Sequence, residues 1–161
     1  MPPTNVVLNA SPLILLCNSG LTFILPELFG EIVVPEAVWQ EVLNGPRIDR
    51  AAQMLPGLDW LKQTAVPLAT PIIRWDLGPG ETAVLSYALE HSAYTPVLDD
   101  LLAKKCARAL NIPTLGTGTI LILAKRRRLI ESVEGALRQL QSIGLWISEP
   151  VIQLLKQKAG E

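Results

Sequence analysis

The sequence predicts an α/β fold in which a parallel sheet is covered by helices on both faces. Two observations carry this reading. Short runs of β-branched and aliphatic residues at 5–9, 32–35 and 94–98 read as strands apolar on both sides. Segments with helical spacing and helix start and stop signals alternate with them. Size agrees: 161 residues, 49% hydrophobic and only 18% charged, supply a layered core and exclude a solvated, disordered chain. One domain over residues 1–161 is expected, with no repeat, low-complexity stretch or linker.

The elements follow in order. Asn5 to Asn9 opens as a strand. Ser11-Pro12 reads as an N-cap followed by proline in the first helical position, and Gly20 ends that helix. A short helix over 23–28 leads to a strand at Ile32-Val33-Val34-Pro35. Pro35-Glu36-Ala37 starts a helix that runs to Leu43 and breaks at Asn44-Gly45-Pro46. Helical character returns at 47–55, and 58–66 holds an edge strand. Thr70-Pro71 and Leu77-Gly78-Pro79-Gly80 bracket an irregular connection. Helices are then expected at 81–91, 100–110, 116–127, 132–142 and 150–158, with strands at 94–98, 112–115 and 145–147.

Several functions are disfavoured at once. The strongest apolar runs are short and interrupted, so no membrane span is expected. Met1-Pro2-Pro3-Thr4 lacks the basic start of a secretory leader, making a cytoplasmic protein the expectation. Two cysteines far apart, Cys17 and Cys106, read as core residues, and with a single histidine, His91, a zinc site is improbable. Gly78-Pro79-Gly80 lacks the lysine and spacing of a phosphate loop. Ser11 has no histidine placed for a triad. The four tryptophans are scattered, as core or interface residues are, and apolar surface makes a homodimer the expected assembly.

The acids carry more. Asn9 and Asp99-Asp100 fall at strand ends, where ligands of open parallel sheets bind. Glu41 lies within a helix, and Glu81 opens another. Oxygen donors so arranged can form a divalent-metal pocket; singly, each acid can equally be a cap or a solvated charge. Lys104, Lys105 and Arg108, with Lys125-Arg126-Arg127-Arg128, make up half of the 14 basic residues. They read either as dipole-favoured helix ends or as a backbone-contacting patch for RNA beside the acidic pocket. A net charge of −1 gives no whole-molecule attraction to nucleic acid.

Across nearly the whole chain, five motifs in order carry a family resemblance. They are Val7-Leu8-Asn9-Ala10-Ser11-Pro12-Leu13, Val34-Pro35-Glu36-Ala37-Val38-Trp39-Gln40-Glu41-Val42, Gly80-Glu81-Thr82-Ala83, Leu98-Asp99-Asp100 and Leu115-Gly116-Thr117. With these the sequence resembles a PIN-domain protein, and more narrowly the relatives of VapC-type toxins. The resemblance implies a three-layer α/β/α sandwich with a central parallel sheet and a Mg²⁺- or Mn²⁺-dependent endoribonuclease site. It also implies RNA as substrate and a small antitoxin protein as partner.

Carried over by position, Glu41, Glu81 and Asp100, with Asp99 beside it, correspond to the family's catalytic and metal-holding acids. Ser11 and Thr117 match small polar positions expected to meet substrate, with Lys104 and Lys105 near them. Asn9 departs from the pattern, since the family's members normally place Asp there. An amide oxygen can coordinate a cation but is neutral and cannot accept a proton as a general base. A second reading follows: a catalytically silent PIN-like module that binds RNA or protein.

Overall fold

The computed structural model describes residues 2–45 and 50–161. Four parallel strands form one sheet: β1 (Asn5–Leu8), β2 (Glu31–Pro35), β3 (Leu61–Thr64) and β4 (Tyr94–Val97). Their order is β3-β2-β1-β4. In register, Val6 lies opposite Ile32 and Thr95, and Leu8 lies opposite Val97. Val6, Val7 and Leu8 are fully buried, because β1 is central and both of its faces are covered. The chain steps from β1 outward to β3 and then returns past β1 to β4. That reversal creates a switch point between β1 and β4, where parallel sheets open a crevice at the strands' C-terminal ends.

Helices flank this sheet. From the N-terminus they are α1 (Ala10–Ser19), α2 (Ile24–Leu28), α3 (Glu36–Leu43), α4 (Arg50–Met54), α5 (Thr70–Ile73) and α6 (Pro79–Glu90). The later ones are α7 (Leu101–Ala109), α8 (Thr117–Arg126), α9 (Val133–Ser142) and α10 (Glu149–Lys158). α6 packs on β1, β2 and β4 and also on α3, which brings two acid-bearing helices together. Gly20, at φ 74°, ends α1 in the left-handed region that glycine reaches without strain. No helix among the described residues is long and apolar enough to cross a membrane.

The structure departs from the sequence reading in five places. α1 begins at Ala10 with Asn9 as its N-cap, so Ser11 is not the cap, and Pro12 falls within the first turn, where the N–H needs no intrahelical partner. The connection at 70–80 contains the single turn α5, anchored by buried Ile72. The strand expected at 112–115 shrinks to one parallel bridge, Val97 to Leu115, because Pro96 and Pro113 lack the N–H groups a ladder needs. No strand forms at 145–147. There Gly144, at φ 123°, redirects the chain after α9, and Trp146 is 94% exposed.

The fifth departure concerns charge. α8 leads away from the strands' C-terminal ends, so Lys125 to Arg128 stand about 15 Å from its first residue. Arg126 and Arg127 there border Pro2, which precedes β1. This basic run is therefore not beside the acidic pocket, and Lys125 is engaged by Glu161 at 2.9 Å. The expected helix at 47–55 is present as α4 from Arg50, continued by a short 3₁₀ turn at Leu55–Gly57; residues 46–49 lie outside the described residues.

Candidate metal centre

Asn9 is the hinge of the site. Its backbone ends β1 and caps α1, with its N–H donating to the Val97 carbonyl at 3.0 Å, so it bridges the two strands of the switch point. An asparagine at this position usually turns its side-chain oxygen onto the helix it caps. Here no such cap forms. The side chain, 2% exposed, leans toward α6 instead, and Nδ2 donates to Glu81 Oε1 at 3.4 Å. Oδ1 is buried without any hydrogen-bond partner. Leaving such an oxygen unpaired costs about 1–3 kcal/mol, so this is a position built to meet something else.

Gly80 decides what surrounds that oxygen. A Cβ there would lie 3.2 Å from Asn9 Oδ1, 3.2 Å from Glu41 Oε1 and 3.3 Å from a Val38 methyl. Glycine thus lets the first turn of α6 approach α3 while leaving both oxygens facing the same gap. Glu81 is the third residue of α6 and folds back over the N-cap Gly78, where a Cβ would fall 2.6 Å from its Oε2. A carboxylate in a first turn is stabilised by the helix dipole, which holds Glu81 at the mouth of the gap. Burial, and then the negative charge of Glu81, push the Glu41 carboxyl above its ordinary range.

The other two acids sit across the switch point, after β4. Asp99 is clamped by Thr117: the Thr117 N–H donates to Oδ1 at 2.9 Å and its hydroxyl to Oδ2 at 2.6 Å. Thr117 is fully buried and spends its hydroxyl on this clamp, so it holds Asp99 rather than facing solvent. Asp100 caps α7, accepting the Ala103 N–H at 2.9 Å, and is otherwise exposed. Gly116 gives these groups room, since a Cβ there would lie 3.3 Å from Asp99 Oδ1 and 3.4 Å from Lys104 Nζ. Lys105 and Ser11 are exposed, Ser11 on the first turn of α1.

All the acids singled out in the sequence therefore reach one end of the sheet, but in two groups. Asn9, Glu41 and Glu81 converge around Gly80, while Asp99 and Asp100 are each held by a helix start. Among the described residues, no three His, Cys, Asp or Glu side chains gather closely enough to hold a metal ion by themselves. Counting the amide changes the picture. Asn9 Oδ1, Glu41 Oε1 and the Glu81 carboxylate form an all-oxygen set with two negative charges and an unsatisfied buried dipole. Those are the donors a hard divalent cation such as Mg²⁺ or Mn²⁺ selects. The residues fit such an ion.

The sequence reading missed Gly80, whose role depends on how α3 meets α6. It also assigned Thr117 to substrate. The available signal was the pairing of an acid just after one strand with a hydroxyl in the first turn of the next helix.

A family model described as a PIN domain matches residues 5–161. The chain belongs to the PIN-domain family. The match covers every strand and helix of the sheet and its flanking layers, and so joins the acid-lined end of this sheet to a family fold. It does not single out the VapC-type branch. No curated protein matches the chain.

Proposed function

We propose that this PIN-domain protein, a single domain over residues 1–161, is a divalent-metal-dependent endoribonuclease. The observation that carries the reading is the buried, unpartnered Oδ1 of Asn9, set between two carboxylates at the switch point of a parallel sheet. Glu41, Glu81 and Asn9 are the residues that would hold the ion, with Asp99 and Asp100 facing the same crevice. A Mg²⁺ or Mn²⁺ ion bound there supplies a polarised water and positive charge for the phosphate under attack.

The chain's own residues do the rest. Glu81 is kept in place by the first turn of α6, Thr117 fixes Asp99, and Lys104 brings a cation to the edge of the crevice. Asn9 contributes an oxygen but no charge, so the site works with one negative charge fewer than the aspartate pattern provides. RNA cleavage with Mn²⁺, abolished by chelator and by Glu81→Gln with the fold intact, is the expected result. Undiminished cleavage in either arm overturns the reading.

A specific observation favours a second reading. The Asn9 Nδ2–Glu81 bond partly satisfies a carboxylate that a cation would otherwise neutralise. In a silent RNA- or protein-binding module, native protein cleaves nothing with either metal, whereas Asn9→Asp gains cleavage. The leading reading extends to a cytoplasmic toxin with a small antitoxin partner and to a homodimer using exposed Leu101, Leu102 or Trp146. Light scattering with and without a co-expressed partner checks the assembly.

A further inference from the structure

Beyond the acids, an open groove of about 440 Å³ is lined by Lys104, Arg108, Asn111, Ile112, Pro113 and Thr114. It begins where the acidic crevice ends, because Lys104 Nζ and Asp99 Oδ1 flank the same glycine, Gly116. Lys104 and Arg108 are four residues apart on α7, so they share a face and stand about 6 Å apart along its axis. That spacing is close to the interval between successive phosphates of an extended strand.

Among the described residues several basic side chains form no ion pair, Arg126 and Arg128 included, and what distinguishes Lys104 and Arg108 is the groove they line beside the acidic crevice. Lys125, Arg138 and Lys156 are committed to Glu161, Glu134 and Glu149. Among the described residues neither Lys104 nor Arg108 forms an ion pair. A helix dipole accounts for Arg108 in the last turn of α7 but not for Lys104, in its middle. Beyond α7, Asn111 adopts φ 58° as the chain turns into Ile112 and Pro113, which give the groove an apolar wall beside its charged one. A charged rail suits the phosphates of a single-stranded polynucleotide, and the aliphatic wall leaves room for its bases without an aromatic platform to stack on.

We infer that this groove carries the phosphodiester backbone of a single strand leading to or from the acidic crevice, gripped by Lys104 and Arg108. The inference rests on the nucleolytic reading above and adds the path of the substrate. The far basic run at Arg126 to Arg128 has no part in it.

Fluorescence anisotropy of a short labelled single strand, as RNA and as DNA of the same sequence, tests it in excess chelator, where no cleavage interferes. Native protein is compared with Lys104→Gln/Arg108→Gln and with Arg126→Gln/Arg128→Gln, all checked for native circular dichroism. The groove variant is expected to bind at least tenfold more weakly. Its affinity should depend less on salt, with a log–log slope shallower by about 1.4 for two lost phosphate contacts. The far variant should bind as native does. Binding of both strands identifies the phosphate chain alone as the ligand, and binding of RNA alone adds its 2′-hydroxyl. Equal binding by native and groove variant overturns the groove while leaving the nuclease reading intact, as does an equal loss in the far variant. Native protein that binds neither strand in chelator likewise overturns the groove, while the Mn²⁺ cleavage assay decides the nuclease reading separately.

Discussion

Asn9 gives its amide nitrogen to Glu81 across 3.4 Å and keeps its amide oxygen buried and unpaired. One side chain thus both quiets a carboxylate and offers a vacant acceptor. A cation at Oδ1 gains a ligand that no protein group contests. The same neutrality lowers the repulsion that three carboxylates would suffer here without an ion.

Asn9→Asp reverses that balance. Adding a negative charge at a buried position beside Glu41 and Glu81 raises their mutual repulsion. In chelator the melting temperature should fall by roughly 5 °C. Saturating Mn²⁺ should restore it, and Mn²⁺ should bind at least tenfold more tightly than to native protein. Differential scanning calorimetry with and without Mn²⁺ checks both; an unchanged melting temperature in chelator contradicts the electrostatic argument.

Gly80→Ala separates the site from the fold. Alanine normally favours a helix interior by about 1 kcal/mol over glycine. Here its Cβ would press on Asn9 Oδ1 and Glu41 Oε1, both at 3.2 Å. We expect thermal stability within a few degrees of native and Mn²⁺ affinity reduced about tenfold, read by titration calorimetry. Native affinity in this variant would show that the two oxygens do not face a shared ligand.

The sequence made much of this legible, for physical reasons that differ by residue. β1 announced itself because a central parallel strand must be apolar on both faces, and Val6, Val7 and Leu8 are. Gly20 and Pro79 marked helix ends through backbone constraints that act locally. The apolar runs at 112–115 and 145–147 misled: the first keeps only the Val97–Leu115 bridge, since Pro96 and Pro113 lack the N–H groups of a longer ladder, and the second pairs with no strand among the described residues. Glu41 and Glu81 could be named from their patterns, but Gly80 as the spacer between them depends on α3 meeting α6. The two basic clusters looked like one patch in sequence. The run of α8 from its first residue to its last sets them apart.

Thr117→Val should uncouple Asp99 from α8. It removes a buried hydroxyl at 2.6 Å and leaves one carboxylate oxygen without that donor. Bonds to charged groups are worth about 1.5–3 kcal/mol, so chemical denaturation should report a loss of that order. Thr117→Ser, which keeps the hydroxyl, should lose less than half as much. Equal losses would assign the effect to the methyl group and not to the clamp.

Glu161 offers a pH-dependent prediction away from the site. Burial raises its carboxyl, but Lys125, the N–H groups of Val133 and Glu134, and the Ser132 hydroxyl outweigh this and hold it down at about 2. A depressed carboxyl adds stability that is fully present above its unfolded value and lost as pH falls toward the folded one. Glu161→Gln should therefore cost about 1 kcal/mol at neutral pH, as loss of a helix cap does. The difference from native should shrink between about pH 4.5 and pH 2. Urea melts across that range check it, and a pH-independent difference would contradict the charge-based account.

The most direct measurement is the binding of Mn²⁺ itself, followed by electron paramagnetic resonance or titration calorimetry on native protein, Glu41→Gln and Glu81→Gln. The account predicts saturable binding by the native chain and at least tenfold weaker binding by each variant, with all three equally folded. Native protein that takes up no Mn²⁺ at millimolar concentration, or variants that bind as native does, would contradict it.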